Sequence, residues 1–313
     1  MYQLEITPFG EFEKFHFYNN ETGNGFALVP EFGACMLELR LNGCSILDGY
    51  TTPEEMITNK WCKNVLLYPF PNRLQQAQYK WQGKTYQFPI NDTDTGNALH
   101  GFGMDKPMRV EEIELEPEFA EVTCLYISEG DQPGYPFRFS FAITFRMEEP
   151  NRFEAELLFQ NDDELPIPAG FGWHPYFKLT DSVNQMHLQL PPVEKIEIDK
   201  SMIPTKRRLP FSQFENMEKI GPTVLDNCFA LNPEKGKVYL QLIGNQVSLS
   251  CWQETGEGKF NFLQLFTPPL RNAIAVEPMT CNINAFNNKE GLLTLAPGES
   301  AYARFGFSLE TLS

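Results

Sequence analysis

The sequence predicts an all-β protein, a large antiparallel sandwich or barrel with very few short helices. Three observations carry that reading. Apolar and polar residues alternate with a period of two in several segments, as in half-buried strands. Short turn sequences join such segments at hairpin spacing. Helix-start signals are scarce, while 24 Pro and 22 Gly are spread over all 313 residues. No low-complexity stretch or internal repeat divides the chain. One continuous domain over residues 1–313 is therefore expected, a size that all-β chains commonly reach.

Taken in chain order, Lys14-Phe-His-Phe-Tyr18 places His16 among alternating aromatics on a strand, where a structural role is expected. Thr52-Pro53-Glu54-Glu55 supplies an N-cap, a proline at the first helical position and two acids for the positive end of the dipole, so a short helix follows. In Arg138–Met147, the residues Phe139, Phe141, Ile143 and Phe145 share one face of a strand, and Arg138, Ser140, Thr144 and Arg146 share the other. Phe153–Phe159 alternates in the same way, and Glu149-Pro150-Asn151 between the two predicts a hairpin. His187 reads as structural, like His16. Ser212–Lys219, ahead of Gly221, reads as a second short helical turn. Lys237–Ile243 and Gln246–Cys251 flank Gly244-Asn245, which is expected to form a two-residue hairpin turn. The alternating tail Tyr302–Leu309 would close a sheet.

Charge and composition exclude several functions. With 25 Lys+Arg against 41 Asp+Glu the net charge is −16, which disfavours nucleic acid and an anionic membrane surface as partners. No segment approaches the roughly 20 apolar residues of a membrane span. The first residues, Met-Tyr-Gln-Leu-Glu-Ile-Thr-Pro, lack the basic and apolar regions of a secretory signal, so a cytoplasmic location is expected. The seven cysteines are scattered and form no Cys-x-x-Cys, which suits free thiols in a reducing compartment better than disulfides or a zinc ribbon. Nothing in the sequence indicates an oligomeric state.

A few polar residues stand in unusual company. His100, in Asn97-Ala-Leu-His-Gly-Phe-Gly103, and His174, in Ala169-Gly-Phe-Gly-Trp-His-Pro-Tyr-Phe177, are wrapped in Gly, Pro and aromatics where strands end in tightly specified loops. Such loops on a rigid scaffold carry binding groups, although a hydrogen-bonded structural histidine is an equal reading at each. Glu277 follows an apolar strand, and Pro278 marks that strand's end. A carboxylate so placed is partly desolvated and suited to proton transfer; a solvent-facing acid is the plainer alternative. Asp226, in Thr223-Val-Leu-Asp-Asn-Cys-Phe229, is similarly embedded or forms an Asx turn. In Tyr68-Pro-Phe-Pro-Asn-Arg-Leu74, Asn72 and Arg73 follow a rigid turn, and the fork of Arg73 suits holding hydroxyls or orienting a carboxylate, with a structural ion pair an equal reading. The nucleophile-elbow, phosphate-loop and dinucleotide-binding motifs are absent.

Asn72-Arg73, Leu99-His100-Gly101, His174-Pro175-Tyr176-Phe177, Leu225-Asp226 and Val276-Glu277-Pro278 occur in the order found in the aldose 1-epimerases, the galactose mutarotase-like proteins, which the chain resembles from about Pro30 to its end. The stretch from Gly83 to Tyr86, leading into Asn91, is also similar. The resemblance implies a β-supersandwich and interconversion of the α- and β-anomers of a free aldose, without cofactor or metal. It further implies that Glu277 is the general base, that His174 is the general acid, and that His100, Asp226, Arg73 and Asn72 bind the sugar. Trp173-His-Pro-Tyr-Phe177 departs from the Asn-His-Ser-Tyr-Phe of galactose mutarotases and resembles a broader branch, which leaves the sugar open. Trp173, Phe171 or Tyr176 offers a ring face to the sugar or packs in the core.

Other functions stay in view. A related branch acts on hexose 6-phosphates through a cluster of arginines, and Lys206-Arg207-Arg208 is the one basic run here, read either as a phosphate contact or as a solvated loop. A non-catalytic sugar-binding protein would use the same scaffold. His100, His174 and Glu277 would suit a two-histidine, one-carboxylate metal site if the fold gathered them. Asp226 and Glu277 would be the carboxylate pair of a glycoside hydrolase.

Overall fold

The computed structural model describes residues 1–312. Three antiparallel sheets dominate it. The first is a meander of Gln3–Phe9, Phe12–Tyr18, Gly25–Val29, Cys35–Leu41 and Cys44–Ser45. The second has nine strands in the order Arg109–Leu115, Phe119–Glu129, Arg138–Glu148, Arg152–Asn161, Ser300–Thr311, Val247–Glu254, Lys237–Gly244, His187–Gln189 and Glu218–Lys219. The third runs Pro204–Phe211, Val193–Ile198, Asp226–Ala230, Phe262–Phe266, Ile274–Met279, Gly172–Trp173 and Leu66–Leu67, with Tyr176–Phe177 also paired to Ile274–Met279.

Burial follows the alternation. Phe139, Phe141, Ile143 and Phe145 are all fully buried, as the period of two requires. Across the Arg138–Glu148 and Arg152–Asn161 hairpin their partners Phe159, Leu157 and Ala155 are equally buried. One large apolar cluster joins these residues to Leu263, Leu265, Ile274 and Val276 of the third sheet, so the core lies between the sheets of a sandwich. The tail strand completes the nine-stranded sheet by pairing with both Arg152–Asn161 and Val247–Glu254. His16 and His187 lie on strands, as expected.

The helix at Pro53–Thr58 forms with Thr52 as N-cap, whose side chain accepts from the Glu55 amide. Three local expectations need correction. Ser212–Lys219 is not helical: it is a turn closed by Glu215 N–H to Ser212 O, followed by the edge strand Glu218–Lys219. The hairpin turn lies one residue later than expected. Gly244 pairs with Val247, so the loop residues are Asn245 and Gln246, both left-handed at φ +48° and +63°. Gly244 is inside the strand because a Cβ there would come within 2.7 Å of the Thr180 methyl. Finally, the strand bearing Glu277 does not end there but continues through Pro278 to Met279. Among the described residues no helix is long and apolar enough to cross a membrane.

Candidate active site

Strand register builds the site. Gly172 pairs with Met279 and Tyr176 with Ala275 on the same neighbouring strand, which sets His174 opposite Glu277. Pro278, opposite Trp173, and Pro175, opposite Val276, lack ladder donors, and the regular pairing is interrupted between Gly172 and Tyr176. On the far side of Glu277, the register pairs it with Gln264. Two positions along, Tyr176, Ala275, Phe266 and Asp226 form the adjacent row. Side chains of both rows project from one sheet face, because residues two apart point the same way. Trp173, of the opposite parity, projects into the core against Phe145, Phe305 and Phe307. Phe171 packs on Phe141 and Phe260 in the same core. Of the three candidate ring faces, only Tyr176 reaches the site.

Over that face lie a short ladder and an arch. Leu99 pairs with Arg73, which brings His100 beside Asn72. Asn91 clamps the Leu99 backbone, donating to its carbonyl and accepting from its amide. His100 is left-handed at φ +65°, and its Nδ1–H donates to the Pro71 carbonyl at 2.7 Å, leaving Nε2 as the acceptor of the neutral ring. Gly101 follows because a Cβ there would lie 2.0 Å from the Tyr68 carbonyl oxygen. The arch is Asn59–Asn64, where Asn59, Trp61, Cys62 and Asn64 all have positive φ. For a residue as bulky as Trp61 that conformation costs on the order of 1–3 kcal/mol and must be held by neighbours. The hydroxyl of Tyr50 donates to Asn59 Oδ1 and Lys60 O, and that of Tyr176 donates to Trp61 O at 2.8 Å. Asn64 ties the arch to the His174–Tyr176 segment: its backbone N–H donates to His174 O and its Oδ1 accepts from Tyr176 N–H.

These pieces enclose a cavity of about 360 Å³, in the range of small-molecule sites. Its lining includes all six residues singled out from the sequence, Asn72, Arg73, His100, His174, Asp226 and Glu277. Gln264, Trp61, Cys62, Leu99 and Phe266 complete it together with Tyr176. Lys206, Arg207 and Arg208 do not line it; they lie on the Pro204–Phe211 edge strand, where Arg207 pairs with Glu197 and Arg208 with Glu194.

Polar groups crowd one wall. Arg73 Nε donates to Asp92 Oδ2 at 2.8 Å, and Gln264 Nε2 donates to Asp226 Oδ1 at 2.8 Å. His174 Nε2 stands 3.5 Å from Glu277 Oε1, the outer edge of a hydrogen bond, so neither group is locked to the other. Glu277 Oε2 and His174 Nδ1 are shielded from water and have no partner among the described residues. His174 stacks on Tyr176, with centroids 5.1 Å apart and rings 2° from parallel, and meets His100 edge-on.

Burial drives the electrostatics. It pushes Glu277 well above the usual carboxylate range, helped by the charge of Asp226 and opposed by Arg73. It pulls His174 well below the usual imidazole value, and His100 adds to the effect. His100 falls to about 4, again chiefly through burial, against its hydrogen bond to Pro71. Asp226 is raised by burial, with Arg73 and the Gln264 hydrogen bond opposing. A desolvated carboxylate is a stronger base when ionised, and a desolvated imidazole is a stronger acid when charged. Although His100, His174 and Glu277 share the cavity, no group of three or more His, Cys, Asp and Glu side chains among the described residues is placed to hold a metal ion.

A β-sandwich with buried histidines and carboxylates lining a small cavity defines the class, and comparison with known proteins gives the family. The family model for aldose 1-epimerases matches residues 18–308, so the chain belongs to the aldose 1-epimerase family. The Escherichia coli K12 protein YihR, described as uncharacterized, is 28% identical over 291 residues, covering 88% of each chain. A galactose mutarotase-like protein from Clostridium acetobutylicum superposes with a TM-score of 0.87 at 20% identity, covering 100% of this chain and 99% of that one. A galactose 1-epimerase from Lactobacillus acidophilus gives 0.83 at 15% identity, with the same coverage. The fold is thus galactose mutarotase-like.

Proposed function

We propose that the protein is an aldose 1-epimerase acting on a free, uncharged aldose, with Glu277 as base and His174 as acid. The observation that carries this reading is the facing of His174 and Glu277 across adjacent strands, both buried, in a small cavity whose wall bears hydroxyl-binding groups. Glu277 takes the proton of the anomeric hydroxyl while the His174 imidazolium gives one to the ring oxygen. The C1–O bond to the ring oxygen breaks and C1 becomes an aldehyde. Rotation about C1–C2 presents the other carbonyl face, and reclosure returns both protons. In the empty cavity burial favours the neutral pair, with Glu277 protonated, so the working form, with the single proton on His174, is the minor arrangement of the singly protonated pair. Each proton transfer typically contributes 10²–10⁴-fold.

Asn72, Arg73, His100, Asp226 and Gln264 hold the sugar hydroxyls. The neutral His100 accepts at Nε2, while Asp226 accepts and Gln264 offers an amide. The lining supports a sugar without phosphate, since Arg73 is its one permanent cation and its Nε already faces Asp92. Replacing Glu277 by Gln keeps the shape and removes the base. The expected result is sugar binding retained, by calorimetry, with anomerisation at least 10²-fold slower. Unchanged turnover would remove Glu277 from the mechanism.

A further inference from the structure

Part of the cavity lining is aromatic. Trp61 and Phe266 stand with ring centroids 5.8 Å apart and planes 36° from parallel, and both line the cavity with Tyr176. The indole Nε1 of Trp61 is shielded from water and has no hydrogen-bond partner among the described residues. An indole N–H can only donate, and a buried donor without an acceptor is a costly arrangement that bound ligand oxygen would relieve. The backbone beneath it is held in place at φ +68° and ψ +8°, its carbonyl fixed by the Tyr176 hydroxyl. A strained, well-held residue with an unused donor is characteristic of a ligand clamp.

We infer that Trp61 is a substrate-contacting, specificity-determining residue: its indole N–H donates to one hydroxyl of the sugar, and its ring with that of Phe266 covers an apolar face of the pyranose. This deepens the epimerase reading and rests on it for the identity of the ligand. Tyr176 joins the clamp to the chemistry, because its hydroxyl fixes Trp61 while its ring stacks on His174. The other tryptophans, Trp81, Trp173 and Trp252, do not line the cavity, so a sugar seated there is reported by Trp61 alone.

The test uses the Trp61→Phe variant, which keeps a ring and removes the N–H, with D-galactose and D-glucose as probes. Tryptophan fluorescence is titrated in the unaltered protein and in the Glu277→Gln variant, with and without Trp61→Phe, and KM and kcat for anomerisation are measured with Glu277 intact. Expected are a saturable fluorescence change that disappears with Trp61→Phe, and a KM about fivefold higher with kcat within twofold. A fluorescence change that survives the substitution, or an unaltered KM, overturns the inference and leaves the epimerase reading standing. Saturable Trp61-dependent binding without anomerisation retains the clamp and overturns the epimerase reading. No binding of either sugar overturns the clamp as drawn for them. If Trp61→Phe lowers the unfolding midpoint, the titration of the unaltered protein still decides, because absence of any response there contradicts a sugar against Trp61.

Discussion

His100 shows how one side chain couples stability to pH at the site. Its folded pKa of about 4 lies below the ordinary value near 6.5, so between these limits the unfolded chain binds the extra proton. Stability from the neutral, buried His100 is therefore complete above about pH 6.5 and is lost as pH falls towards 4, up to about 3 kcal/mol. Its partner His174 is shifted in the same direction. Denaturant unfolding between pH 4 and 7 is expected to show this loss, and His100→Asn is expected to remove part of it. Asn accepts the left-handed backbone and can offer an amide N–H towards the Pro71 carbonyl. An identical pH profile in the variant would mean that His100 is not the titrating group. Residues of this kind were legible in the sequence because Gly, Pro and aromatics surround them. Gln264 was not, since in Phe262-Leu-Gln-Leu-Phe266 it reads as an ordinary polar alternate, and only the register with the next strand, Ile274–Met279, puts it beside Glu277. Trp61 was equally silent: its place depends on a left-handed backbone that Lys60-Trp-Cys-Lys63 does not announce.

At the scale of elements, the Asn59–Asn64 arch and the Gly172–Phe177 segment behave as one unit. Asn64 is fully buried, and its side chain accepts from Tyr176 N–H and donates to Asp48 O. Removing it in Asn64→Ala orphans both groups at about 1–3 kcal/mol each, so a loss of about 2–6 kcal/mol is expected in denaturant unfolding. Because the Asn64 side chain holds the Tyr176 N–H and the Tyr176 ring stacks on His174, kcat is expected to fall by more than KM rises. A stable variant with unaltered kcat would show that the arch does not position His174. Elements with strict alternation were readable, and the Arg138–Glu148 hairpin formed as expected. Misreadings arose where packing outweighed local preference. Gly244 resembles a turn residue yet is required inside a strand by Thr180, and Pro278 resembles a strand end yet sits where the ladder has opened opposite the Trp173–Pro175 segment.

For the whole molecule, the sandwich supplies rigidity and the third sheet supplies the site. One face of that sheet enters the common core through Trp173, Leu263, Leu265 and Val276, while the other displays His174, Glu277, Gln264 and Asp226 in two rows. A closed core on one side thus fixes chemical groups on the other to the precision of strand register. The order of the sheets could not be read from periodicity, because alternation marks which face of a strand is buried and not which strand lies next to it. The resemblance to aldose 1-epimerases supplied what alternation could not. The measurement that bears most directly on the account follows freshly dissolved α-D-galactose and α-D-glucose by proton NMR as each approaches anomeric equilibrium. Catalytic amounts of the protein are expected to accelerate at least one of them, and the acceleration should vanish in His174→Ala. Equilibration no faster than in buffer, for these and other neutral aldoses that the protein binds, would contradict it.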